Sequence, residues 1–173
     1  MAIFSASEAM LFGALLGTYY YLRFKAVHWP PAGTPEPKVL VPLILTAVLV
    51  ATSVPMQAAL RAAREERLTA TRVALAIALA AQSTYFGLQI HLFLDDLAKF
   101  TPGQHAYGSI YFTLLGAHHA HVAVGLLLNL WVLLRLTYGL TRYRVLTVQC
   151  VALYWLFVNA FAILVTLAEL TAS

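Results

Sequence analysis

The sequence predicts an all-α membrane protein, a bundle of five transmembrane helices with its N-terminus in the cytoplasm and its C-terminus outside. Three observations carry that prediction. Of the 173 residues, 61% are hydrophobic and only 10% charged, whereas a soluble domain carries about 25% charged residues. The few charges fall between apolar blocks of about 18 residues or more, the length that crosses a bilayer. Finally, seven lysines and arginines lie with the N-terminus and the second and fourth connectors, against four in the first and third. The richer side is the cytoplasmic one.

The first span covers about residues 2–22, with Glu8 as its one charge. No basic segment precedes it and Glu8 interrupts its apolar run, so it is expected to be a retained helix rather than a cleaved leader. A loop rich in proline follows (Pro30, Pro31, Pro35, Pro37), where helix cannot continue. The second span, residues 39–60, accommodates Pro42 in its first turn, while Pro55 is expected to kink it or end it. After the charged connector RAAREERLTATR come the third span, residues 73–94, the fourth, residues 107–135, and the fifth, residues 145–168. With no repeat and no room for a soluble domain, residues 1–173 are expected to form one transmembrane helical domain.

The net charge of +4 does not point to nucleic acid, because the basic residues sit in short loops and form no stripe with interleaved aromatics. Cys150 is the only cysteine, which excludes an internal disulfide and a thiolate cluster. Tyr19, Tyr20, Tyr21, Trp29, Tyr107, Tyr111, Trp131 and Tyr138 lie near span ends, as an interfacial aromatic belt would. Gly13 with Gly17, and Gly108 with Gly116, are expected to let helices approach closely.

Ionisable groups at membrane depth face protein, water or a cofactor rather than lipid. The fourth span holds three of them, His118, His119 and His121; positions 118 and 121 share a face and 119 points elsewhere. Two histidines at this spacing could ligate a metal or haem. A spanning haem, however, takes imidazoles from two helices, and the other spans offer only His91, near the end of its own. No Met, Cys or carboxylate stands beside the cluster to complete a copper or zinc site. The imidazoles are therefore expected to hydrogen-bond across helices, with Glu8 an available partner. Glu8 itself reads either as an interfacial carboxylate or as a buried one paired with another helix. His91 and Asp95, four apart, read as an interfacial hydrogen bond or a proton-collecting pair. Asn159 reads as a polar tie between helices.

These residues also resemble a family. Ser7-Glu8 with Phe12 is similar to the SE-x-x-x-F opening of subunit III of the haem–copper cytochrome c oxidases. The likeness continues through Trp29-Pro30-Pro31, Pro42-Leu43 with Thr46, Leu88-Gln89, and Tyr107-Gly108-Ser109. It ends with Gly116-Ala117-His118-His119-Ala120-His121-Val122, then Tyr154-Trp155 and Phe157-Val158. Departures are Ala117 for phenylalanine, His119 for glycine, Leu156 for histidine, Asn159 for aspartate, and Ile90-His91 in place of a Glu-containing motif.

The resemblance implies a short, five-helix bacterial-type member, without the two leading helices of longer ones, in the cytoplasmic (inner) membrane. It implies an accessory role rather than catalysis by this chain: packing against oxidase subunit I, beside subunit II, holding phospholipid and sustaining proton uptake. Haem and copper would belong to the partner subunits and none to this chain. By the same resemblance Glu8 is the family's carbodiimide-reactive carboxylate, and His118 and His121 are its paired membrane histidines. Quinol oxidases and nitric oxide reductases with a similar subunit remain alternatives. From other classes, so do a small haem or copper electron carrier and a proton or solute transporter using Glu8 and His121; the absence of a repeat counts against the transporter.

Overall fold

A computed structural model describes residues 2–31 and 40–171. Pro35, Pro37, Lys38 and the expected start of the second span at Val39 lie outside the described residues. The helices are α1 (Ala2–Lys25), α2 (Leu40–Ala51), α3 (Ser53–Arg64), α4 (Leu68–Lys99), α5 (Ala106–Arg135) and α6 (Arg142–Leu170), with one 3-10 turn, Leu136–Tyr138, after α5. There is no strand among the described residues.

Among the described residues, four stretches are long and apolar enough to cross a membrane: Leu40–Arg64, Leu68–Lys99, Ala106–Tyr138 and Arg142–Leu170. The 24 residues of α1 are long enough, at about 36 Å. It runs beside the spans: Glu8 meets His121 of α5, Tyr19 meets Ala168 of α6, and Trp29 meets Tyr107.

The second span is broken, as its prolines require. Pro55 has no N–H for the carbonyl of Ala51, and the helix stops at Thr52 before resuming as α3. Thr52 closes the gap by donating its hydroxyl to the Leu49 carbonyl at 2.6 Å. The α3–α4 turn is tight. Glu66 takes the left-handed conformation (φ 58°), and Arg67 N–H reaches back to the carbonyl of Ala62 at 2.9 Å, the pattern that usually selects glycine.

At the other joint Gly139 (φ 93°) ends the 3-10 turn, and Thr141 caps α6 by accepting from the N–H of Arg144. Arg72 of α4 donates to the Leu136 carbonyl at 2.6 Å and pins that turn to the bundle.

The main core lies between α2, α3, α4, α5 and α6, around Leu49, Met56, Leu75, Val122, Val148 and Trp155. Close packing there depends on small residues other than the expected glycines. Ala59, Ala63 and Ala78 are fully buried where α3 meets α4. A Cβ at Gly13, Gly17 or Gly116 would meet nothing within 4 Å, so these glycines mark no helix contact within the chain. At Gly108 a Cβ would meet the preceding loop, the carbonyl of Thr101 at 3.0 Å. The close helix approach is at Gly125, where a Cβ would lie 2.8 Å from the Trp155 ring.

The aromatic belt also divides. Tyr21, Trp131 and Tyr138 are exposed, whereas Tyr19 and Tyr107 are buried with Phe100, Phe112 and Trp29 in an interior aromatic cluster.

Candidate functional site

The sequence points to Glu8, His91, Asp95, His118, His121 and Asn159, and the fold sends them to separate places. Glu8 lies on the one face of α1 that is covered, in line with Phe12, Leu15 and Tyr19 at helical spacing. That stripe packs on α5 and α6 and brings the Glu8 carboxylate to the middle of α5. There Oε2 lies 2.7 Å from Nε2 of His121, both side chains being largely covered at 19% and 15% exposure. Phe12 closes the pair from one side, its ring 5.2 Å from the imidazole. Tyr154 of α6 donates to the His121 carbonyl at 2.8 Å and fixes the backbone beneath it.

The second nitrogen decides the pair's protonation. Nδ1 of His121 lies 2.6 Å from the Ala117 carbonyl, which can only accept, so Nδ1 carries hydrogen. The contact of Nε2 with Oε2 then needs one more proton, placed either on the imidazole or on the carboxyl. In both arrangements the pair is neutral overall.

His118 and His119 go elsewhere. His118 is buried against α4, where Gln89 donates to the Tyr85 hydroxyl at 3.2 Å and that hydroxyl meets Nε2 of His118 at 3.2 Å. His119 donates Nδ1 to the Leu115 carbonyl at 2.7 Å and packs its ring against Phe86 and Phe93. Thus positions 118 and 121 do not serve one partner: the first faces α4 and the second α1. Among the described residues, Nδ1 of His118 and Nε2 of His119 are buried without a hydrogen-bond partner.

Asn159 faces inward and donates to Ser53 at 2.8 Å, at the break between α2 and α3. Beside that break lies a polar group that sequence reasoning missed. Gln82 and Asn129 are both fully buried; Asn129 donates to Gln82 at 2.9 Å, and Gln82 reaches Thr52 at 3.4 Å. A second missed tie is Thr46 with Thr166 at 2.7 Å. The available signal was an amide side chain within an apolar span, Gln82 in the third and Asn129 in the fourth, the pattern of a hydrogen bond between helices.

His91 and Asp95 lie at the surface of α4, 3.4 Å apart and 74% and 48% exposed. The neighbouring Asp96, not singled out, is the carboxylate that holds structure together. It accepts from Tyr111 at 3.0 Å and from Lys99 at 3.3 Å.

Among the described residues no group of three or more His, Cys, Asp or Glu side chains could hold a metal ion. The three imidazoles of α5 enter different environments, so the cluster is not one ligand set. What the arrangement can do is join helices and keep one proton between Glu8 and His121.

A family model described as cytochrome c oxidase subunit III matches residues 1–168. The chain belongs to the cytochrome c oxidase subunit III family. Cytochrome c oxidase subunit 3 of Petromyzon marinus is 32% identical over 166 residues, covering 92% of this chain and 63% of that protein. The Papio hamadryas protein of the same name is 33% identical over 167 residues, with the same coverage of both chains. The one from Thermostichus vulcanus is 28% identical over 135 residues, 78% of this chain and 66% of that protein. The chain therefore spans 63% of the length of the first two relatives.

Membership in the subunit III family and the four apolar spanning stretches agree: this is a multi-span membrane protein. Leu156 faces outward at 43% exposure, while Asn159 faces the core.

Proposed function

We propose that the chain is a non-catalytic subunit III of a respiratory haem–copper terminal oxidase, stabilising catalytic subunit I alongside subunit II and supporting proton uptake. The observation that carries this reading is the family match along residues 1–168. The paired Glu8 and His121 and the polar ties at the α2–α3 break are consistent with a supporting bundle. Haem and copper are assigned to the partner subunits, and electron transfer and O2 reduction to the complex as a whole.

The outward side chains of α5 and α6, among them Leu127, Leu134, Leu153 and Leu156, supply apolar faces for the partner subunit and for phospholipid. The excess of arginine at the α3–α4 and α5–α6 joints favours those joints, and with them the N-terminus, on the cytoplasmic side of a bacterial inner membrane. Glu8, His118, His121 and Asn159 are proposed as the buried polar residues of functional weight, with His91 and Asp95 a surface pair.

The test is purification of a tagged full chain from its native membrane. A haem-bearing partner should co-purify, and its haem types and copper content identify the electron donor. A folded chain that purifies alone with stoichiometric haem would overturn the proposal.

A further inference from the structure

Beside the α2–α3 break, polar ties and one packing contact close into a ring. Asn129 of α5 donates to Gln82 of α4, and Gln82 reaches Thr52 at the break. Ser53, the next residue, accepts from Asn159 of α6. Trp155 stands one turn before Asn159, and its ring fills the space that a Cβ on Gly125 would need. Gly125 in turn stands one turn before Asn129. We propose that this ring encloses resident water, held by the side chains of Asn129, Asn159 and Trp155.

Hydrogen bonds left unmade are the first argument. Among the described residues, Oδ1 of Asn129, Oδ1 of Asn159 and Nε1 of Trp155 are buried with no hydrogen-bond partner. The three residues are 0%, 4% and 1% exposed, so bulk solvent does not reach them. Buried polar atoms are rarely left so, because each loses its hydration and gains nothing in return. Turning an amide over changes which of its atoms is left out and supplies no partner.

Position is the second argument. Cε2 of Trp155, the ring atom bonded to Nε1, lies 3.1 Å from the Cβ position of Gly125. The indole N–H is therefore at the surface of α5, on the helix face that also carries Asn129. The direct ties run from α5 to α4, from α4 to the break, and from the break to α6. Water between Trp155, Asn159 and Asn129 supplies the link from α6 back to α5.

The third argument is the chemical match. Two acceptors and one donor are left over. A water molecule donates twice and accepts as well, and buried waters make about three hydrogen bonds each. A cation would suit the two amide oxygens but not the indole N–H, and an anion the reverse. None of the ring's side chains carries a charge to offset a buried ion.

The inference rests on packing within this chain and not on the oxidase assignment. The isotope-labelled full chain in nanodiscs has three tryptophans, and the Trp155 indole signal is the one that survives both Trp29→Phe and Trp131→Phe. That N–H should give a nuclear Overhauser cross-peak to water while exchanging slowly with deuterium, which separates bound water from contact with bulk. Asn159→Leu and Asn129→Leu, each removing one acceptor, should abolish the cross-peak. Thr46→Val, which breaks the buried Thr46–Thr166 tie outside the ring, should leave it unchanged.

Absence of the cross-peak in the folded parent chain overturns the site, whether or not the variants fold. So does a cross-peak that persists undiminished in Asn159→Leu, or one that falls equally in Thr46→Val.

Discussion

Oε2 of Glu8 and Nε2 of His121 meet at 2.7 Å although 113 residues separate them in sequence, and they join α1 to the middle of α5. α1 contributes only Phe12 and Tyr19 as buried side chains among its described positions. The polar pair adds to that apolar stripe and to the Tyr19–Ala168 hydrogen bond in holding it. Glu8→Ala is expected to lower the unfolding temperature and loosen α1, and Glu8→Gln, which keeps a hydrogen-bonding head, to do so less. A double-mutant cycle with His121→Ala should return a coupling of about 1–2 kcal/mol. Additive single mutants would reduce the pair to a surface contact.

Gly125 and Gly13 make opposite predictions from the same substitution. A Cβ at Gly125 would lie 2.8 Å from Trp155 and 3.0 Å from Tyr154, both rigid rings. Gly125→Ala should destabilise the chain by about 1–3 kcal/mol through overpacking and shift the Trp155 emission. At Gly13 a Cβ meets nothing, so Gly13→Ala should stabilise the isolated chain by about 0.5–1 kcal/mol through helix propensity alone. Thermal unfolding in detergent checks both.

Glu66 occupies a left-handed position that normally favours glycine. It is exposed and its backbone N–H serves the helix end, so the side chain is dispensable to the turn. Glu66→Gly should raise stability by about 1 kcal/mol, the cost of that conformation for a residue with a Cβ. An unchanged or lower melting temperature would contradict this.

Gln82 and Asn129 depend on each other. Gln82→Leu removes the acceptor of the Asn129 amide and leaves a buried donor unmade, with an expected loss of about 1–3 kcal/mol. The double replacement Gln82→Leu with Asn129→Leu should recover most of that loss, because an apolar pair leaves nothing unsatisfied. Denaturant unfolding of the parent chain and the two variants reads the difference.

The order and kind of the helices were legible because apolar length and charge placement report a bilayer directly; Pro55 even gave the position of the break. Helix ends were less so: α4 extends five residues before and after its expected span, because flanking residues such as Leu68 and Lys99 continue the helix beyond the apolar block. Partnerships were harder still. Spacing places His118 and His121 on one face, but which neighbour covers each edge of that face depends on how α1 and α4 dock. His119 resolves only in three dimensions, as a ring among phenylalanines with one backbone bond. Gln82 and Asn129 sit on different helices, so only the docking of α4 against α5 shows that the two amides meet.

A pair that holds one proton and no net charge has an electrical consequence. Moving a full charge across a membrane is worth about 2.3 kcal/mol per 100 mV. Here the proton can shift only between atoms 2.7 Å apart, within a hydrocarbon core of about 30 Å. The voltage acting on it is thus under about a tenth of the total. The joint between α1 and α5 is therefore nearly blind to membrane energisation: charging or discharging the membrane leaves the strength of this contact as it was.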